Sequence, residues 1–277
     1  MNITLETLLE ETANIPALPH VVTEILNKID DPSMTPNDFQ NIIINDPVLT
    51  AKTLKLSNSA YYGYSREIST ISEAIVILGI ETLKSLVIAM SAYNVLNRDM
   101  EGYGLKSKEF WEHSLMTALI SQGIGKIRKF SNPELLFIAG LLHDIGKLLL
   151  SKYRLMYLDQ ISEFKAKNKV PDHFAEKAII KFDHCEVGSS LANLWKFPNV
   201  FVEIIRYHHW PTKVNNQFSP AVHIVHMADC FAHEIDNSVV VPNKMVAQEL
   251  SITDEEKSAV LKGVKEQGMK FTNEIKE

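Results

Sequence analysis

Seven side chains of the kind that hold transition metals stand at intervals through the second half of the chain: His113, the pair His143 and Asp144, His184, the pair His208 and His209, and Asp229. They interrupt stretches that are otherwise apolar, where a polar group buried without partners is strongly disfavoured. A carboxylate such as Asp144 in those surroundings needs hydrogen-bond donors or a cation, or else takes up a proton. The gaps between successive groups run from about 20 to about 40 residues, each long enough for one helix and its connection. Successive helices of a bundle can therefore aim them at a common centre.

Imidazole and carboxylate suit Zn, Fe, Mn or Ni, and the chain has no cysteine pair at the Cys-x-x-Cys spacing of a structural thiolate site. Seven donors exceed the needs of one ion. They match two divalent ions about 3.5 to 4 Å apart, the arrangement that activates water for attack on phosphorus, with Asp144 as the bridging carboxylate. Plainer readings exist for each position. A lone His-Asp dipeptide also fits an ordinary hydrogen-bonded pair, and His208 with His209 fits a helix C-terminal pair facing the last carbonyls. Asp229 fits a buried acid held by backbone donors, with His223 and His226 on the same stretch as rival ligands or plain helix-surface residues. The joint reading is favoured because four separate helices each contribute groups of the ligand type.

The elements that must position these groups read as helices. The stretch 135–150, LLFIAGLLHDIGKLLL, is apolar or glycine apart from His143, Asp144 and Lys147, which predicts one helix buried on nearly all sides. FWEHSLMTALISQGIGKI predicts a helix carrying His113, and Ser131, Asn132 and Pro133 begin the buried helix. KNKVPDHFAEKAIIKFDHCEVGSSLANLWKF predicts a loop and a helix bearing His184, ended near Phe197 and Pro198. NVFVEIIRYHHWP holds the histidine pair before Pro211, and SPAVHIVHMADCFAHEI places Asp229 at mid-helix. Thr253 opens a capping box with acids in the first turn, and Gly263 and Gly268 weaken that last helix.

The first hundred residues carry the same signals. Pro19 opens a helix over VVTEILNKI, Thr35 with Pro36 and Asp38 caps the next, and Asp46 with Pro47 caps a third. An aromatic turn, Tyr61, Tyr62, Gly63 and Tyr64, precedes two apolar helices separated by Gly79. Persuasive strand alternation is absent. The fold expected is all-α, with an N-terminal helical subdomain over 1–100 packed on a helical metal-binding bundle over 101–277. The polar, glycine-containing EGYGLKSK, residues 101–108, is the candidate junction.

Composition narrows the function. Of 277 residues 45% are hydrophobic and 22% charged, and the formal net charge is -6 without a long basic run, which argues against non-specific nucleic-acid binding. Cys185 and Cys230 make no disulfide framework. The acidic N-terminal stretch does not read as a signal peptide, and no apolar run reaches the roughly 18 residues of a membrane span. The expectation is a soluble, cytoplasmic protein. No linker to a sensor domain is evident, so input is expected to come from another molecule.

The spaced pattern His113, His143-Asp144-Ile-Gly-Lys147, His184, His208-His209 and Asp229 resembles the HD superfamily of metal-dependent phosphohydrolases, especially the two-metal HD-GYP phosphodiesterases that act on cyclic dinucleotides. IPALPHVVTEIL, NDPVLTAKTLKLSNSAYYG and ISEAIVILGIETLKSLV resemble the N-terminal half of the HDOD family, HD-related output domains of bacterial signalling. Together the resemblance spans roughly residues 10–235. It implies one ion on His113, His143, Asp144 and Asp229, and another on Asp144, His184, His208 and His209. Lys147 would face substrate phosphate or water at the metals; its plainer reading is a surface lysine that snorkels. Many HDOD members lack these ligands, whereas this chain retains them. After His208-His209 it reads WPTKVNNQF where HD-GYP proteins end an acidic, glycine-rich stretch in Gly-Tyr-Pro. The implied function is a signalling module that binds metal, a small phosphorylated ligand and a partner protein; the alternative is an active phosphohydrolase using Asp144 and Lys147 on a nucleotide or cyclic dinucleotide.

Overall fold

The computed structural model describes residues 4–10, 18–29, 31, 33–59, 61–64, 66–214, 216–235 and 240–276. They form α1 (Leu5–Glu10), α2 (His20–Asn27), α3 (Pro36–Ile44), α4 (Pro47–Ser57), α5 (Ile71–Leu78), α6 (Ile80–Leu96), α7 (Ser107–Ile127), α8 (Pro133–Leu142) and α9 (Lys147–Met156). There follow α10 (Leu158–Asn168), α11 (Asp172–Ile179), α12 (His184–Leu194), α13 (Asn199–Tyr207), α14 (Ser219–Ile235), α15 (Lys244–Leu250), α16 (Asp254–Leu261) and α17 (Val264–Lys276). No strand occurs among the described residues. The chain is all-α, with a helical N-terminal half packed on the bundle through α6, which lies against α7 and α8.

Helix starts follow the caps read from the sequence. Thr35 and Asp38 form a reciprocal capping box before Pro36, Asp46 accepts from the Leu49 N–H before Pro47, and Thr253 and Glu256 repeat the box at α16. Gly79, at φ 84°, separates α5 from α6, and the two helices bend by 116° there. Among the described residues no single helix is long and apolar enough to cross a membrane. Arg128 at the end of α7 anchors the tail, reaching Glu256 at 2.9 and 2.5 Å and the Leu250 and Ser251 carbonyl oxygens. Trp111, fully buried, donates to Thr272 Oγ1 at 2.8 Å.

Two expectations need correction. The stretch 135–150 is not one helix: α8 ends at Leu142, His143 to Gly146 make a turn, and α9 starts at Lys147. Both halves are buried, so apolar patterning alone could not reveal the break. The segment before His184 holds α11 as well as a loop, and His184 is the first residue of α12. The 101–108 junction is itself tied to the bundle: Gly102 N–H donates to Ser151 Oγ at 3.1 Å, and its carbonyl accepts from Arg154 Nε at 2.5 Å.

Candidate metal centre

The break between α8 and α9 is what makes the site. It turns His143 and Asp144 out of the helix axis and lets the backbone meet α12 directly: a Cβ at Gly146 would lie 1.9 Å from the His184 carbonyl oxygen and 2.5 Å from the Gly188 nitrogen. Only glycine fits there. Gly140 does the same against α7, where a Cβ would stand 2.8 Å from the Thr117 carbonyl oxygen. The chain thus draws the helices of His113 and His184 onto the His-Asp turn. The end of α13 adds His208 and His209, and α14 adds Asp229.

All seven metal-type side chains meet at this centre, with Lys147 beside them. Asp144 stands between two groups of imidazoles: Oδ2 lies 3.3 Å from His143 Nε2 and 3.8 Å from His113 Nε2, while Oδ1 lies 3.4 Å from His184 Nε2 and 3.7 Å from His208 Nε2. Asp229 Oδ1 lies 3.2 Å from His113 Nε2 and 3.6 Å from His143 Nε2, and its Oδ2 lies 3.7 Å from His209 Nδ1. Most of these distances exceed the roughly 2.7–3.2 Å of a good hydrogen bond. They lie nearer the roughly 3.0–3.4 Å that separates neighbouring donors each about 2.0–2.1 Å from one ion.

His143, Asp144, His184 and Asp229 are at most 1% exposed, yet Nε2 of both histidines, Oδ1 of Asp144 and both carboxylate oxygens of Asp229 make no hydrogen bond among the described residues. Buried polar atoms are otherwise nearly always satisfied, so this donor set fits divalent cations.

The outward ring nitrogens are already committed. His143 Nδ1 meets the Gly140 carbonyl oxygen at 2.7 Å, His208 Nδ1 the Ile205 carbonyl oxygen at 2.9 Å, and His184 Nδ1 the carboxylate of Glu176 at 2.7 Å. Each such bond fixes the ring so that Nε2 faces the centre, the role outer partners play around ligating histidines. Glu176 is itself held by Arg154 at 2.9 Å, and the guanidinium also reaches Asp172 at 2.5 Å and lies 4.3 Å from the Tyr103 ring centroid. Lys147 ion-pairs with Asp144 Oδ2.

Charge is arranged to keep the carboxylates ionised. Burial pushes Asp144 and Asp229 up, but Lys147 and His143 beside the first, and His113 and His143 beside the second, hold both well below the usual range. Burial lowers His143, and Asp144 and Asp229 overcome that and raise it to about 10. Burial likewise opposes the rise of His184, which Glu176 brings about. His208 falls to about 4, through burial above all. An entering cation would therefore meet two anions and displace protons from imidazoles.

The rival ligands lie elsewhere. His226 Nδ1 meets the His208 carbonyl oxygen at 2.7 Å and its Nε2 accepts from the Asn243 N–H at 2.9 Å, making it a strut under the histidine pair. His223 faces Glu249 at 3.0 Å. Sequence reasoning missed Glu176, His173 and His233. His173 stacks on His209 with centroids 4.3 Å apart, and His233 Nε2 lies 3.4 Å from Asp229 Oδ1. Only His233 left a visible signal, standing one turn after Asp229.

Comparison with known proteins agrees with this architecture. An uncharacterised protein of Treponema pallidum is 27% identical over 226 residues, 80% of this chain and 43% of that protein, so the chain spans less than half the length of this relative. The crystal structure of an HDOD domain protein of unknown function from Geobacter sulfurreducens matches with TM-score 0.73 at 24% identity, covering 99% of this chain and 97% of the other. That of a provisionally named phosphohydrolase from Shewanella amazonensis matches with TM-score 0.70 at 28% identity, covering 97% of each chain. The family described as HDOD domain matches residues 15–211. A match over most of the sequence, on a helical fold shared from end to end, makes this chain a member of the HDOD family.

Proposed function

We propose that this chain is an HDOD signalling module whose bundle holds two divalent transition-metal ions, and that the metal-loaded centre takes a small phosphorylated ligand while the surface engages a partner protein. The observation that carries this reading is the convergence of the buried Nε2 atoms of His143 and His184 with Oδ1 of Asp144 and both carboxylate oxygens of Asp229, none of which makes a hydrogen bond among the described residues. His113, His143, Asp144 and Asp229 would hold one ion; Asp144, His184, His208 and His209 the other. Ions so held would supply Lewis acidity toward a phosphate ester and would lower the pKa of water. The chain's own contributions are orientation, through Glu176 and the Gly140 and Ile205 carbonyls, and the Lys147 ammonium, which can leave Asp144 to meet an incoming phosphate once cations neutralise that carboxylate.

Turnover of a nucleotide or other phosphate ester is the second reading. It is favoured by the pairing of Lys147 with Asp144 and by the provisional name of the Shewanella relative. The stretch WPTKVNNQF, in place of a Gly-Tyr-Pro ending, argues against cyclic dinucleotides as substrates. The test is elemental analysis of the purified chain, then assay of nucleotides and other phosphate esters with Fe or Mn supplied. Metal at two equivalents without turnover supports the module; turnover abolished in Asp144→Ala supports the enzyme; absence of bound metal refutes both.

A further inference from the structure

The seven residues above leave one imidazole at the centre without an assignment. His233 sits on α14 one turn after Asp229, and its Nε2 lies 3.4 Å from Asp229 Oδ1, the oxygen that His113 Nε2 approaches to 3.2 Å and His143 Nε2 to 3.6 Å. Three imidazole nitrogens from α7, the His-Asp turn and α14 thus surround one carboxylate oxygen. The ring of His233 runs beside that of His113, with centroids 4.6 Å apart and planes tilted by 38°. One ligand atom each from His113, Asp229 and His233 fall within 4.8 Å of one another. Asp229 is 1% exposed and its Oδ1 makes no hydrogen bond among the described residues.

We propose that His233 is a further metal ligand, serving the ion nearest Asp229. The inference rests on the two-ion reading above and sharpens it. With His233 the donors on the Asp229 side become three imidazoles and two carboxylates, a mixed nitrogen and oxygen set that one further oxygen donor would complete to the six-coordination of Mn or Fe, whereas the far side depends on Asp144, His184, His208 and His209. The side chain of His233 is 28% exposed, against 9% for His113 and 0% for His143, so it forms the solvent-facing edge of that ion's shell. Solvent, chelators and small anions would reach the ion past this ring. The two ions are therefore unlike, the one nearest Asp229 being edged by the more exposed imidazole, 28% for His233 against 13% for His209 on the far side.

The test is titration of the metal-free full chain with Mn and, separately, with Co, whose visible absorption reports coordination number. The wild type takes two equivalents; His233→Ala and His233→Gln keep one at wild-type affinity and bind the other at least about tenfold more weakly, with an altered Co spectrum that free imidazole restores in His233→Ala. Two equivalents at unchanged affinity and an unchanged Co spectrum in both variants overturn the assignment. A wild-type chain that binds Co in an Asp144-dependent way, with His233 variants indifferent, sinks this inference alone. A wild-type chain that binds no cation sinks the two-ion reading with it. The circular dichroism of both variants shows whether the fold is kept, and His233→Gln, which preserves a polar group at the edge, guards against loss through unfolding.

Discussion

The close approach of Gly146 to α12 offers a sharp test of how the site is assembled. Gly146 sits at φ -64° and ψ -23°, a conformation open to any residue, so Gly146→Ala acts through space alone. The added methyl would lie 1.9 Å from the His184 carbonyl oxygen, about 1.5 Å short of ordinary contact near 3.4 Å, and 2.5 Å from the Gly188 nitrogen. Both obstacles are backbone, so no side chain can swing aside. Overpacking of this kind costs about 1–3 kcal/mol, and backbone against backbone places it at about 3 kcal/mol. At roughly 2–4 °C per kcal/mol for a chain near this size, Tm falls by about 6–12 °C. His184 rides on the displaced turn, so binding of the ion proposed for its side should also be lost. Gly123→Ala is the control: its methyl meets only the Val260 side chain, at 3.1 Å, and a helical alanine gains about 1 kcal/mol over glycine. Thermal unfolding by circular dichroism, with metal content of each sample, reads both effects. A Gly146→Ala protein that melts within about 2 °C of wild type and keeps its metal would refute the reasoning.

Glu176→Ala removes the carboxylate behind His184 and leaves Arg154 with one acid fewer; metal affinity should fall about 10- to 100-fold, as for other outer partners of ligating histidines, and a titration showing no change would separate Glu176 from the site. In the metal-free protein His143 is raised from 6.5 to about 10, so its contribution to stability is fully present below about pH 6.5 and disappears as pH rises through about 10. Metal-free protein should therefore lose stability across that window, and metal-loaded protein should not; parallel Tm–pH curves for the two forms would contradict this. For the same reason, calorimetric metal titrations at pH 7.5 in buffers of different ionisation enthalpy should show at least about one proton released per chain. At the acid end Asp172, depressed to about 2 against its burial by Arg154 and Lys165, and Glu176, depressed to about 2 against its burial by His184, contribute stability that is present above about pH 4.5 and lost as pH falls toward 2. Acid unfolding of Arg154→Met should begin at higher pH than that of wild type.

Much of this molecule could be read from local chemistry. Thr35, Asp46 and Thr253 announce helix starts because capping is decided within four residues, and His143, Asp144 and Asp229 are conspicuous because ionisable groups in apolar runs are disfavoured without a partner. The break at His143 to Gly146 was hidden because α8 and α9 are both buried, so hydrophobic patterning continues through it. Glu176 was hidden for a different reason. Its helix is amphipathic, an acid there looks like a solvent-facing residue, and only the return of α12 places it fully buried against His184. That His226, a rival ligand by its spacing, is a strut while the overlooked His233 faces the centre turns likewise on how α14 packs. His226 points to the His208 carbonyl and His233 to Asp229, a distinction set by packing and not by spacing.

The most direct test of the metal centre is anomalous diffraction from crystals of the wild-type chain grown with Mn. Two peaks should flank Asp144, one toward His113, His143 and Asp229 and the other toward His184, His208 and His209. A map in which no anomalous peak lies within about 2.5 Å of an Asp144 oxygen would contradict the account.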